Sequence, residues 1–244
     1  MTNSSQPAFR FPTAEIEVER AVAELRYGRP VLVTEGERKL AVVALDSVAP
    51  SLFDQFAAVT EGRHNLLLTA PRAARLGIAT ERDVITPLAG LSFDAASRLA
   101  YALGGEKPAL WQPADALASQ SADLARLALL LPAMVLADVT AIDNRFAGCC
   151  EIASARLKGA DVARQRFEKV VRTRVPLKDL GDADFVVFRG GLSQKDQVAI
   201  VVGKPDVSKT VPIRIHSSCI TGDLCGSLKC DCGDQLRNGL ALLK

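Results

Sequence analysis

The first 140 or so residues alternate between segments with a helical apolar period and short apolar runs. Apolar side chains recur every three or four positions between Thr13 and Gly28, which predicts an amphipathic helix with Thr13 as its N-cap. Short runs rich in Val and Leu, bounded by Gly or charged turns, predict strands. The predicted helices are 13–28, 51–62, one from about 71, 93–103 and 114–130, and the predicted strands are 30–34, 40–45, 65–69 and 133–139. This alternation favours an α/β or α+β layered domain.

The rest of the chain has a different pattern. Charged and small residues dominate 143–169, where four apolar residues at a helical spacing predict a connecting helix: Val162, Phe167, Val170 and Val171. Three apolar runs then follow in quick succession between Gly-rich turns, at 184–188, 197–202 and 210–215, and predict a β-rich second domain. We therefore expect a disordered lead-in at 1–13, a layered domain at 14–171 and a second domain at 172–244.

Composition and charge exclude several classes of protein. An apolar content of 48% over 244 residues is enough for a packed core, so we expect a globular protein. The formal charge of +2 provides no broad field for nucleic acid or anionic lipid. The N-terminus has no apolar segment of signal-peptide length, and the longest apolar run, 127–139, contains Pro132 and is too short to cross a bilayer. We predict a cytoplasmic protein that binds neither nucleic acid nor membrane.

Four of the six cysteines lie between Cys219 and Cys232, which indicates metal binding or chemistry rather than disulfides in a reducing compartment. Cys230 and Cys232 lie one residue apart and can converge with Cys219 on one ion. Soft sulfur ligands favour zinc. Three protein ligands leave a fourth position for water, which ionises near neutral pH and becomes a nucleophile. The spacing therefore predicts a catalytic zinc site.

Two other interpretations of the cysteines are open. Cys225 would close the site as a fourth ligand and make it structural, but structural sites usually pair their cysteines on both sides, and here only one side is paired. Alternatively, all four are merely buried, which is the reading we adopt for Cys149 and Cys150, outside the cluster.

Polar residues next to the cysteines suit a nucleotide. Arg214 is a forked cation suited to a phosphate oxygen, and 221–223 form a polar turn able to hold a triphosphate. Gln235, on a predicted helix, offers a donor and an acceptor for a base edge. His216 can be a ligand, a proton carrier or a hydrogen-bond donor; with three sulfurs available, we expect it beside the ligands or facing substrate. The other histidine, His64, is predicted to lie at the surface or a helix end.

The segment RIHSSCITGD, from Arg214 to Asp223, together with GSLKCDCGDQ, ending at Gln235, resembles the zinc signature of the GTP cyclohydrolase II family. The resemblance implies that zinc held by three cysteines opens the imidazole ring of GTP with release of formate and pyrophosphate, the first step of riboflavin biosynthesis. It also implies a homodimer and Mg2+ accompanying GTP as a further possibility. The implied zinc ligands are Cys219, Cys230 and Cys232, and the implied GTP contacts are Arg214, Ile215, His216, Ser217, Ser218 and Gln235.

The chain departs from the family pattern in two ways. Ser218 stands where the family usually has glutamate, so that position lacks a carboxylate. The family's Glu-Gly-Arg loop and a later Asp and Arg do not occur before Lys244, so we expect a truncated sequence that is inactive alone. These departures motivate an alternative function, a noncatalytic zinc- or nucleotide-binding or scaffold protein of the riboflavin pathway.

The N-terminal part resembles 3,4-dihydroxy-2-butanone-4-phosphate synthase. The resemblance rests on 20–33, which is similar to that fold's first helix and strand, and on 122–133, similar to its late helix and strand. That synthase requires an acidic magnesium loop, where this chain reads TEGERK at 34–39, and a later histidine that this region does not contain. We predict an inactive scaffold domain, and a bifunctional enzyme is the third hypothesis.

Overall fold

The structure is a computed structural model that describes residues 13–157, 167–191 and 195–243. The chain divides into two compact units, Met1–Gln165 and Arg166–Lys244. Each unit contains both helices and strands, which confirms the predicted mixed α/β class. The predicted lead-in lies outside the described residues except for its last residue, Thr13, and the predicted division near residue 172 falls within a strand.

The first unit is a seven-stranded sheet with helices on both faces. Its helices are α1 Thr13–Arg26, α2 Pro50–Val59, α3 Ala70–Arg75, α4 Phe93–Tyr101, α5 Ala116–Leu127 and α6 Ser154–Leu157, with a 3-10 turn at Asp143–Phe146. Its strands are β1 Val31–Glu35, β2 Arg38–Ala44, β3 Asn65–Leu68, β4 Val84–Pro87, β5 Gln112–Pro113, β6 Met134–Asp138 and β7 Cys150–Ala153. The strand order is β5-β4-β3-β6-β2-β1-β7, and every pair is antiparallel except β1 with β7.

The core explains why the strands have unbroken apolar sequences. Leu66 and Leu68 of β3 pack with α2, α3 and α4 on one face of the sheet. Leu67 points to the opposite face, where α1 and α5 pack, and is also fully buried. A strand covered on both faces needs apolar residues at consecutive positions, and this is the pattern that predicted it.

His64 is buried in this core, so its predicted surface position is wrong. Its side chain is 3% exposed, and its ring packs edge-to-face against Phe53 and Phe56 of α2. Neither ring nitrogen makes a hydrogen bond of good geometry among the described residues, although the Gly62 backbone is close enough to oppose part of the pKa shift. Because burial disfavours the charged form, the pKa of His64 is lowered from its usual value. His64 is therefore a neutral, apolar-packed side chain.

The second unit contains a three-stranded antiparallel sheet and two helices. Its elements are β8 Phe167–Leu177, β9 Gly181–Gly190, β10 Lys195–Val202, α7 Ile220–Asp223 and α8 Cys232–Leu242. The predicted connecting helix is wrong from residue 167 onward, because Val170 and Val171 lie in β8, which pairs with β9; Val162 lies outside the described residues. The predicted strand at 210–215 is also wrong. No described strand lies alongside it, and Pro212 has no N–H for a ladder.

Among the described residues, every helix is too short or too polar to cross a membrane.

Candidate metal centre

Two short helices of the second unit bring the cysteines together. Cys219 is the N-cap residue of α7, and Cys232 is the first residue of α8. The backbone N–H of Ser227 donates to the Thr221 carbonyl at 2.9 Å and folds the intervening loop back onto α7. The first thiol and the last two therefore meet where both helices begin.

The sulfur atoms of Cys219, Cys230 and Cys232 all lie within 4.8 Å of one another, and those of Cys219 and Cys230 are 3.8 Å apart. A tetrahedral zinc ion with Zn–S bonds of about 2.3 Å places its sulfur ligands about 3.8 Å apart. The three thiols thus form a group that could hold a metal ion, and its spacing suits zinc. Cys225 is exposed and lies outside the group.

The pKa values of Cys219 and Cys232 are shifted in opposite directions. The pKa of Cys219 is lowered to about 7, first by the Thr221 hydroxyl at 3.3 Å and then by the Gly222 backbone N–H. Hydrogen bonds of the Cys232 thiol with Cys219 and then with Cys230, which favour its protonated form, raise the pKa of Cys232 to about 11. Cys219 therefore becomes a thiolate at lower pH than Cys232 in the metal-free protein, and a bound cation would favour the thiolate form of all three cysteines.

Two glycines allow the helices to approach so closely. A Cβ at Gly222 would lie 2.8 Å from Cys230 Sγ and 2.9 Å from Cys232 Cβ. A Cβ at Gly233 would lie 2.5 Å from the Gly222 carbonyl oxygen. The backbones of α7 and α8 are therefore in direct contact beneath the sulfurs. Sequence reasoning missed this role, and the only signal for it was that each glycine lies beside a cysteine or a polar turn.

His216 does not belong to the three-thiol group but contacts its supporting helix. Its Nε2 lies 2.7 Å from Asp223 Oδ2, and the two side chains are 17% and 18% exposed. The other carboxylate oxygen of Asp223 is buried and has no hydrogen-bond partner among the described residues. The structure therefore pairs His216 with a carboxylate rather than with the sulfurs.

Arg214 and Gln235 contact each other. The Arg214 guanidinium donates to Gln235 Oε1 at 2.7 Å, and Gln235 Nε2 donates to Asp231 Oδ2 at 2.8 Å. A Cβ at Gly239 would lie 2.7 Å from Arg214 Cδ, so the arginine lies across α8 at this glycine. Since Asp231 separates Cys230 from Cys232, this chain of hydrogen bonds connects Arg214 to the turn that carries two thiols.

The other predicted contact residues lie on the exposed segment before α7. Ile215, Ser217 and Ser218 are all exposed, and Ile215 is 91% so. Ser218 has φ of +54°, a left-handed conformation that is unusual for a residue other than glycine. The backbone therefore turns sharply immediately before Cys219.

The two cations of segment 34–39 in the first unit pair with carboxylates from other parts of that unit. Arg38 contacts Asp115 at 2.8 Å and Asp138 at 3.0 Å. Lys39 contacts Asp143 at 3.1 Å and Glu151 at 3.5 Å. Among described residues, the three thiols are the only group of His, Cys, Asp or Glu side chains arranged to hold a metal ion.

Comparison with known proteins assigns the segment that carries the thiols. The family model of GTP cyclohydrolase II matches residues 168–244. The chain is 48% identical over 236 residues to "GTP cyclohydrolase-2" of Xylella fastidiosa, covering 95% of this chain and 59% of the relative. It is 31% identical over 245 residues to the protein of that name from Azospirillum brasilense, covering 92% and 63%. The chain thus spans about three-fifths of the length of these relatives.

A more distant relative and one solved structure extend the comparison. "Riboflavin biosynthesis protein RibBA" of Aquifex aeolicus is 26% identical over 294 residues, covering 98% of this chain and 71% of the relative. RibBX, a two-domain 3,4-dihydroxy-2-butanone 4-phosphate synthase from A. baumannii, gives a TM-score of 0.44 at 18% identity, covering 90% of this chain and 79% of that structure. Residues 168–244 therefore match the GTP cyclohydrolase II family model, and the curated relatives named GTP cyclohydrolase-2 align over more than nine-tenths of this chain.

Proposed function

We propose that this protein is a GTP cyclohydrolase II, which hydrolyses GTP with opening of the imidazole ring and release of formate and pyrophosphate, the first step of riboflavin biosynthesis. The observation that carries the proposal is the cluster of three thiols within 4.8 Å, in a segment that matches the family model. The names of the curated relatives, GTP cyclohydrolase-2 and riboflavin biosynthesis protein, support the same pathway.

Cys219, Cys230 and Cys232 would hold one zinc ion. Zinc bound in this way supplies a Lewis acid and an ionised water for hydrolysis. The exposed position of Cys225, outside the group, supports a site with three protein ligands and one open position rather than a closed structural one.

The segment 214–218 and Gln235 would contact GTP. Arg214 is an exposed forked cation, suited to phosphate oxygens that Mg2+ can share. Release of Arg214 would free the Gln235 amide oxygen, which now accepts from that guanidinium, to contact the base. His216 lies three residues before Cys219 and would face the substrate with the ring nitrogen that Asp223 leaves open.

The metal and the reaction can be tested separately. The 244-residue chain should bind one zinc per chain, which elemental analysis measures. Cys230→Ser should lose that zinc, and Cys225→Ser, the matched control, should keep it. The full-length gene product with zinc and GTP should release formate, which a formate dehydrogenase assay detects. No formate from zinc-loaded protein would refute the proposed reaction.

A noncatalytic nucleotide-binding protein is the second candidate, favoured by Ser218, which gives this position a neutral hydroxyl instead of a carboxylate. The two functions predict different results with the full-length gene product. A noncatalytic protein would bind GTP in calorimetry but release no formate, whereas the enzyme would do both.

We also propose that the first unit is a catalytically silent relative of 3,4-dihydroxy-2-butanone-4-phosphate synthase. Arg38 and Lys39 occupy the space between pairs of carboxylates, and the histidine of this unit, His64, is buried in an aromatic cluster. Such carboxylates are poorly placed to share a divalent cation. Purified protein with magnesium should leave ribulose 5-phosphate unchanged, and its conversion would refute the proposal.

A further inference from the structure

His216 and Asp223 form a partly buried pair beside the metal centre. Their 2.7 Å contact joins His216 Nε2 to Asp223 Oδ2, in a place where both side chains are more than four-fifths covered. An ionised carboxylate only accepts hydrogen bonds, so the nitrogen that faces it must carry a proton. In the neutral ring, the proton is then on Nε2 and the acceptor lone pair is on Nδ1.

The carboxylate is held by the same backbone that presents the first thiol. Asp223 is the last residue of α7, and its N–H donates to the Cys219 carbonyl at 2.7 Å. The preceding residue, Gly222, packs directly on Cys230 and Cys232. The Asp223 carboxylate is therefore fixed relative to all three thiols by one helical turn.

We infer that Asp223 is a positioning residue that fixes His216 as the Nε2–H tautomer and so presents Nδ1 as a hydrogen-bond acceptor at the metal centre. The ligand that this nitrogen would accept from is an N–H or O–H group of the substrate. This role in turnover rests on the proposed function, whereas the tautomer itself does not. Asp223 would act on the reaction only through the histidine ring.

The chain offers a direct test because it contains two histidines, one in each unit. Long-range proton–nitrogen NMR of the 244-residue chain reports which imidazole nitrogen carries the proton. We expect His216 to show a protonated Nε2 and an unprotonated Nδ1 at a pH where the ring is neutral. In Asp223→Ala the two tautomers should mix, while the His64 signals, from the buried ring of the first unit, stay unchanged. Zinc content then reports whether the second unit keeps its fold.

Asp182→Asn is the matched control, since Asp182 is an exposed carboxylate on β9 of the same unit; it should leave both rings as in the parent. Zinc content should stay at one per chain in Asp223→Ala. In the full-length gene product, that change should lower kcat about 10- to 100-fold, as for groups that orient residues around a metal.

The outcomes separate the inference from the function on which it rests. A protonated Nδ1 in the parent chain, or an Asp223→Ala spectrum identical to the parent, would overturn the inference even if formate is released. The expected tautomer in a protein that releases no formate would support the positioning role and refute the proposed reaction. Loss of zinc in Asp223→Ala would overturn it as well, because the residue would then act on the metal site and not through the ring.

Discussion

Replacing Gly222 by Ala tests whether close contact of the two helices creates the metal centre. The added Cβ would lie 2.8 Å from Cys230 Sγ and 2.9 Å from Cys232 Cβ. Comfortable contacts between such atoms begin at about 3.5 Å, so the sulfur must retreat by about 0.7 Å or α7 must move with it. Metal–ligand distances tolerate only about 0.2 Å. The substitution therefore displaces a ligand by several times what the site accepts.

The size of the effect follows from the cost of overpacking. Forcing an extra methyl group into a packed contact costs about 1–3 kcal/mol. If that cost falls on the zinc-bound state, zinc affinity drops about 5- to 150-fold. Competition with a chromogenic chelator measures the dissociation constant, and circular dichroism of the metal-free protein checks the fold.

Gly226→Ala is the matched control, because Gly226 lies in the same loop and has φ of +63° but no atom within 4 Å of the added Cβ. It strains the backbone by about 1–2 kcal/mol without touching a sulfur. We expect zinc affinity close to that of the parent. Equal weakening by the two substitutions would show that loop strain, not contact with the thiols, controls zinc binding, and unchanged affinity in Gly222→Ala would refute the reasoning outright.

Three further predictions concern other groups. His64→Phe should reduce the loss of folding stability at acid pH. Burial lowers the pKa of His64, so the unfolded chain takes up a proton near pH 6.5 that the folded chain does not. The parent protein therefore loses stability as the pH falls through that value, and the variant should lose less. Denaturant unfolding between pH 5.5 and 8, at about half-unit steps, measures this, and equal slopes for both proteins would contradict it. In metal-free protein, the rate at which iodoacetamide modifies Cys219 should have its midpoint near pH 7, because the pKa of this thiol is lowered to about 7. Thr221→Val should raise that midpoint, since it removes the hydroxyl that lowers the pKa. Peptide mass spectrometry that found Cys232 modified before Cys219 would contradict this prediction. Gln235→Ala should strengthen binding of inorganic pyrophosphate, because it removes the 2.7 Å hydrogen bond that Arg214 donates to Gln235. The same change should weaken binding of GTP, because it also removes the proposed base contact. Calorimetry in which the affinities for both ligands changed in the same direction would count against the proposed roles.

The helices and strands could be predicted where burial imposes a simple pattern of apolar residues on the sequence. Residues 66–68 and 133–137 are apolar at every position because both faces of the sheet are covered there. The apolar period gave a wrong prediction, a helix instead of a strand, at β8, where the strand register shifts between Lys169 and Val171. A bulge adds one residue to a strand and breaks its alternation of two. The adjacent Val170 and Val171 then mimic a helical spacing, although β-branched residues favour strands.

Polar residues show a second limit of sequence patterns. The residues next to His64 in the sequence do not distinguish it from a surface histidine. Its burial depends on the aromatic rings of α2 and on the pairing of β3, which begins directly after His64, with β4. A buried polar group without a partner costs about 1–3 kcal/mol, so patterns that assume satisfied polar groups assign it to the surface. Only the packing of Phe53 and Phe56 around the ring shows where it lies.

In the candidate site, too, the sequence spacing of residues predicted some features, whereas others depend on contacts that only the folded structure shows. The three clustered thiols could be named from sequence, because few cysteine spacings allow the side chains to converge on one ion. Arg214 and Gln235 were predicted separately, as proposed contacts to phosphate and base, and the sequence did not show that they are partners. They are 21 residues apart, and α8 must begin at Cys232 to bring them together. Their bond is exposed and contributes only about 0.5–1.5 kcal/mol. Under the proposed function, a phosphate that binds Arg214 would break this bond and release the Gln235 oxygen to accept from the base, so that the two halves of one nucleotide would assist each other's binding.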